Sequence, residues 1–208
     1  HLAHRRQRQM CIRDSATSLG EVVHAYGIDA VSTTGNTVNL DASASTSLQQ
    51  LAETIEGDAQ SIGQLGEQEA IAVNTLLSSG DANLIANALA SLFGDARSVE
   101  GTAESRSQLS ALLGLNSNTI GIEGDAEILA AIGLNSTNEA SSMTGDAIAN
   151  TLAGTIEGIS VDQLDTSGEI TIDSDVDADL KLLTASIEGT ADAELTIDEI
   201  ATLNGCLL

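Results

Sequence analysis

Small or polar residues followed by Leu, Ile or Val, then a carboxylate, then another small residue, recur seven times along the chain. The copies are Asn39-Leu40-Asp41-Ala42, Thr54-Ile55-Glu56-Gly57, Ser98-Val99-Glu100-Gly101, Gly121-Ile122-Glu123-Gly124, Thr155-Ile156-Glu157-Gly158, Thr171-Ile172-Asp173-Ser174 and Ser186-Ile187-Glu188-Gly189. The tetrads and the alternating run Glu169 to Asp173 predict short strands. Between them, apolar residues fall at helical spacing. The clearest case is Ala82 to Phe93, with Leu84, Ile85, Ala88, Leu89 and Leu92, bounded by Gly80 and Gly94. Further helices are predicted over 67–78, 102–113, 125–132, 145–153, 177–185 and 197–203. A second string, Gly-Asp-Ala, begins at Gly57, Gly80, Gly94, Gly124 and Gly145. Its Gly suits the end of one element and its Asp the N-cap of a following helix.

Strands alternating with helices imply parallel pairing and right-handed crossovers. The expected fold is therefore α/β, a short-unit βα repeat solenoid with a parallel sheet; the alternative is a compact irregular α/β domain. Successive tetrads are 15, 44, 23, 34, 16 and 15 residues apart at their aliphatic positions, so the repeat is irregular. The repeat domain is expected over 38–208, preceded at 16–37 by an irregular or partial first unit.

Composition narrows the core. Leu, Ile, Val and Phe make up about a quarter of the chain past residue 15, above the roughly 20% typical of disordered chains. With Tyr26 and Phe93 as the aromatics and no Pro, that core is aliphatic, which suits thin stacked layers.

The net charge is −24. From Ala16 onward Arg97, Arg106 and Lys181 are the remaining cations, and the net deepens to −27. Such a field repels nucleic acid and anionic membranes and attracts cations. No apolar run approaches the length of a membrane-spanning helix. Past residue 15 the chain has Cys206 alone, so no intrachain disulfide and no thiolate metal cluster is expected there.

Side chains alternate along a strand, so each tetrad should turn its aliphatic residue inward and its acid outward. Stacked in register, Asp41, Glu56, Glu100, Glu123, Glu157, Asp173 and Glu188 would form one file, about 4.8 Å between neighbours. A divalent cation between such acids converts repulsion into attraction, and calcium fits the hard oxygen ligands. The candidate metal residues are Glu56, Glu100, Glu123, Glu157 and Glu188, with the sharper run Asp173, Asp175, Asp177 and Asp179. The competing reading is a solvated acidic face with no specific ion. The aspartate run matches the early positions of an EF-hand loop, but Ala178 replaces the turn Gly and Thr184 the bidentate Glu.

Catalytic constellations are nearly absent. No Ser, Cys or acid is tied by sequence to His24, and a pair such as Asp162 and Asp165 is unspecific among so many acids. No phosphate-binding Gly loop, His/Cys metal signature or glycine-rich calcium nonapeptide is present.

Two resemblances complete the reading. Residues Arg5 to Ser15, above all Met10-Cys11-Ile12-Arg13-Asp14-Ser15, resemble the translation of a transposase-based sequencing adapter, which implies an artefactual leader over 1–15 and a truncated protein. The alternation of Asp41-Ala42-Ser43 with strings such as Ser186-Ile187-Glu188-Gly189-Thr190-Ala191 resembles the repeats of very large secreted or surface proteins of marine bacteria. That likeness, over about residues 38–204, implies a non-enzymatic structural or adhesive segment outside the cell. Its partners would be other surface components or neighbouring repeats of the same polypeptide.

Overall fold

The computed structural model describes residues 15–207, so all of the adapter-like leader except Ser15 lies outside the described residues. Nine strands follow one another: β1 (Ala16–Gly35), β2 (Val38–Glu56), β3 (Ala59–Ser78), β4 (Ala82–Glu100), β5 (Ala103–Ile122), β6 (Ala126–Ser142), β7 (Ala147–Thr166), β8 (Ile170–Ser186) and β9 (Ala191–Leu207). Residues 16–37, set apart above as a first unit, comprise β1 and the turn into β2.

The strands form two wholly parallel sheets, an odd sheet β1-β3-β5-β7-β9 and an even sheet β2-β4-β6-β8. Each strand pairs with the strand two further along, in a register that keeps each residue in one column from coil to coil: Ala59 faces Ala103, Ala103 faces Ala147 and Ala147 faces Ala191. One coil is thus two long strands and two tight turns. The fold is solenoid-like and parallel, as expected, but contains no helix among the described residues.

The helices expected over 67–78, 82–93, 102–113, 125–132, 145–153, 177–185 and 197–203 are strand throughout most of their length. Ala82 to Phe93 shows why. Leu84, Ala86, Ala88, Ala90 and Leu92 are buried at every second position, while Leu89 and Phe93 are exposed. An Ala- and Leu-rich segment satisfies periods of 2 and 3.6 at once. The choice falls to hydrogen-bond partners 44 residues away, which no local window contains.

The turns explain the Gly-Asp-Ala strings. Of their glycines Gly57 adopts a φ of +106°, and Gly101, which opens the equivalent Gly-Thr-Ala turn one coil on, +138°, both open to glycine and strained for other residues. The following Asp caps no helix; it ties its turn to the next coil. Asp58 Oδ1 accepts from the Thr102 amide at 2.9 Å, Asp81 from Asp125 at 3.0 Å, Asp125 from Glu169 at 2.9 Å and Asp146 from Thr190 at 2.9 Å. Gly94, whose string had been grouped with these, lies inside β4.

Between the sheets runs an aliphatic core including Leu65, Ile71, Leu84, Leu112, Leu115, Ile128, Ile156 and Ile159. A separate cluster beside it is alanine alone among its buried members: Ala52, Ala59, Ala96, Ala103, Ala140, Ala147 and Ala149. Between the two lies buried Asn138, whose Oδ1 accepts from Ser105 and Ser107 at 2.9 Å each. Its Nδ2 donates to the Asn150 carbonyl at 3.1 Å and to Thr151 Oγ1 at 2.7 Å. All four hydrogen-bonding capacities of the amide are used, so a buried polar layer is tolerated inside an apolar stack.

Candidate functional site: the outer faces of the two sheets

The tetrads do not occupy equivalent rungs. Leu40, Ile122, Ile156 and Ile172 face the core, as expected, whereas Ile55, Val99 and Ile187 are exposed at 65, 37 and 76%. The last three belong to one corner of the coil, at the ends of β2, β4 and β8. There the Ser of the tetrad turns inward instead: Ser98 and Ser186 donate to the carbonyls of Gly57 and Gly145 at 2.8 Å each, and Ser142, at the equivalent place in the coil between them, to that of Gly101 at 2.7 Å. A strand ending on a hydroxyl that reaches the previous turn must point its next residue outward.

The seven tetrad acids are correspondingly dispersed and form no single file. Glu56 and Glu100 are direct neighbours in register, and Glu188 stands two coils beyond Glu100 at the same corner, with Thr144 between. Glu123 lies at the opposite edge, where its amide donates to the Ser78 carbonyl and its own carbonyl accepts from Ser167 Oγ. Asp41 and Asp173 share a column but are separated by Ile85 and Leu129. Glu157 is buried in the middle of β7, its Oε1 accepting from Asn204 Nδ2 at 2.9 Å.

Asp173, Asp175, Asp177 and Asp179 sit at alternate, exposed positions of β8, on the outer face of the even sheet. Their neighbours on β6 are Leu129, Ala131, Gly133 and Asn135, and Asp179 pairs with Lys181 at 2.8 Å. Two residues along a strand separate side chains by about 7 Å, too far for three carboxylates to share one ion. Among the described residues no group of three or more His, Cys, Asp or Glu side chains could hold a metal.

The odd sheet carries a feature the sequence reading missed. Its inward positions shift by three residues instead of two between Leu65 and Gln68, Gln68 and Ile71, and Val73 and Leu76. The shifts recur in β5 and β7, where Leu112-Leu113-Gly114-Leu115 and Ile156-Glu157-Gly158-Ile159 are buried in succession. At these bends the backbones approach closely: a Cβ on Gly114 would lie 2.4 Å from the Gly158 carbonyl oxygen. Acids near the bends are drawn out of water. Glu69 is 3% exposed, and its Oε1 accepts from Asn116 Nδ2 at 2.8 Å, the arrangement repeated two coils on by Glu157 and Asn204. Burial pushes the Glu69 carboxyl up to about 7, with Glu67 and Asp29 adding to the rise and the Asn116 bond opposing it. The spacing Glu69 to Asn116 and Glu157 to Asn204, 47 residues in both, is the signal that could have found the pair.

Beside these acids, Asp29, Asn74, Asn116, Ser117 and Asn118 border a shallow recess of about 270 Å³. His24 stands nearby on β1, stacked on Tyr26 with ring centroids 5.9 Å apart and 3.8 Å from Glu67. Among the described residues no serine or cysteine nucleophile is hydrogen-bonded to it. Asp162 and Asp165 lie in β7, the latter at the rim of a second open recess with Glu123 and Ser167. No known protein family, curated protein or solved structure matches the chain.

Proposed function

We propose that this chain is a non-enzymatic structural or adhesive repeat segment of a secreted bacterial surface protein. The supporting observation is the coil itself: each turn and each strand is hydrogen-bonded to its equivalent one coil away, so length is added without a change of design. Acidic side chains are spread over the outer surfaces, which favours a solvated, self-repelling rod. Recovery of the complete reading frame tests the proposal. Further 44-residue coils together with an export signal are expected; a frame without either, joined to an intracellular catalytic domain, would overturn it.

The second reading, a calcium-dependent module, is favoured by the adjacent Glu56 and Glu100 at the coil corner. Thermal melting with millimolar calcium against chelator decides between the two. A rise in midpoint supports the ion, and an unmoved midpoint leaves the acidic face solvated.

A further inference from the structure

At the corner where the strands of the even sheet end, one outward position is apolar in every coil the structure describes. Steps of 44 residues lead from Ile55 to Val99, Met143 and Ile187, which are 65, 37, 49 and 76% exposed. Other outer columns of the same sheet are mixed, as in Gln49, Phe93, Thr137 and Lys181 or Ser45, Leu89, Gly133 and Asp177. A repeated exposed aliphatic stripe is the kind of surface that marks an interaction site. It is bordered on the turn side by Glu56, Glu100 and Glu188, whereas on the strand side Glu53 is bridged by its neighbour Arg97, which Asp95 also holds, so the uniform negative border is the turn side.

We infer that this corner docks a cationic amphipathic α-helix of a partner protein, laid across the strands along the stacking direction. The inference names the partner chemistry of the interaction role proposed above and rests on that reading.

Spacing selects the helix. Coils repeat about every 4.8 Å, and an α-helix presents one apolar residue per turn about every 5.4 Å, so over four coils the two fall out of step by only about 2 Å. An extended strand in the same direction repeats a face every ~7 Å and loses register by a similar amount at each step. Charge selects the sign. Basic residues flanking the partner's apolar stripe would meet the glutamate border, whereas a second copy of this chain, at −24 and with the same glutamates at the same corner, would meet like charge.

The test uses the full chain and a synthetic 14-residue peptide with Leu at positions 1, 5, 8 and 12 and Lys on the flanks, its binding followed by fluorescence anisotropy. Controls are a scrambled peptide of equal composition and a peptide with Glu in place of Lys. Saturable binding about tenfold tighter than that of either control is expected, as is a loss of about tenfold in the double variant Val99→Thr with Met143→Thr. Threonine preserves strand propensity at these exposed sites, and an unchanged circular dichroism spectrum checks folding. Replacing Glu56 and Glu100 by Gln should weaken binding and flatten its salt dependence. Equal affinity for the scrambled peptide, or binding unmoved by the double variant, would overturn the inference. So would self-association of the unliganded chain by light scattering that disappears in the double variant, since the occupant would then be a second copy. Failure here leaves the reading-frame test untouched, and failure there leaves peptide binding to be read on its own.

Discussion

In the even sheet, burial alternates residue by residue along β6, from Ala126 to Ser142, and the outer face keeps aliphatic residues such as Ile55, Leu89 and Ile187 in water. In the odd sheet the same coil breaks its alternation three times per strand, and acids near the bends, Glu69 and Glu157, are buried while hydrogen-bonded to asparagines. Both sheets have the same parallel ladder and the same period. The difference comes mainly from backbone path: a bend lets neighbouring side chains and backbone cover an outward residue, and a regular strand leaves it exposed unless a long side chain lies over it, as Arg97 does over Asp95 in β4. Exposure of a residue type in this protein follows from its place on the path more than from its polarity.

The largest effect that sharpens the contrast is within β4. Leu84→Ala, at a fully buried inward position, should cost about 3 kcal/mol, whereas Leu89→Ala, half-exposed on the outer face, should cost less than about 1 kcal/mol, both read from urea denaturation. A helix would bury Leu89 together with Ile85 and Leu92 at its i−4 and i+3 positions, and a loss at Leu89 as large as at Leu84 would refute the alternating strand.

Next comes glycine at a bend against glycine on a regular strand. Gly114→Ala should destabilise by about 2 kcal/mol because its Cβ meets a backbone carbonyl, while Gly133→Ala meets only the terminal methyl of half-exposed Leu89 and should stay within about 0.5 kcal/mol. Similar melting shifts for the two variants would remove the bend as the distinguishing feature.

The smallest effect is electrostatic. A carboxyl raised to about 7 in the folded state, against 4.5 as its ordinary value, binds more protons folded than unfolded, so its contribution to stability falls as pH rises from about 4.5 through 7 and then levels off. Glu69→Gln should therefore raise the stability at pH 8 by on the order of 1 kcal/mol, allowing for solvent screening and read from the shift in melting midpoint, and leave it nearly unchanged at pH 4. A gain of the same size at pH 4 as at pH 8 would mean that burial at the bend does not raise Glu69.

Much of this construction is legible in the sequence. The acidic surface, the aliphatic core, the stacked parallel repeat and the corner motif Ser/Thr-aliphatic-acid-Gly all stand in the residues themselves. The period was there too: Gly57, Gly101, Gly145 and Gly189 are 44 apart, as are Gly80, Gly124 and Gly168. Tetrads from the two edges and from mid-strand share one pattern and together mask it. The Glu69–Asn116 pair was not legible from either residue, since its meaning depends on a bend that buries one and aims the other at it.

By itself, then, the chain determines that its layers are thin, aliphatic inside and anionic outside, because composition sets what can be buried and what must stay solvated. Only the tertiary structure decides strand over helix, and which aliphatic of each tetrad faces in. Both depend on hydrogen-bond partners one full coil away, and a local pattern that fits two periods equally well holds no information about them.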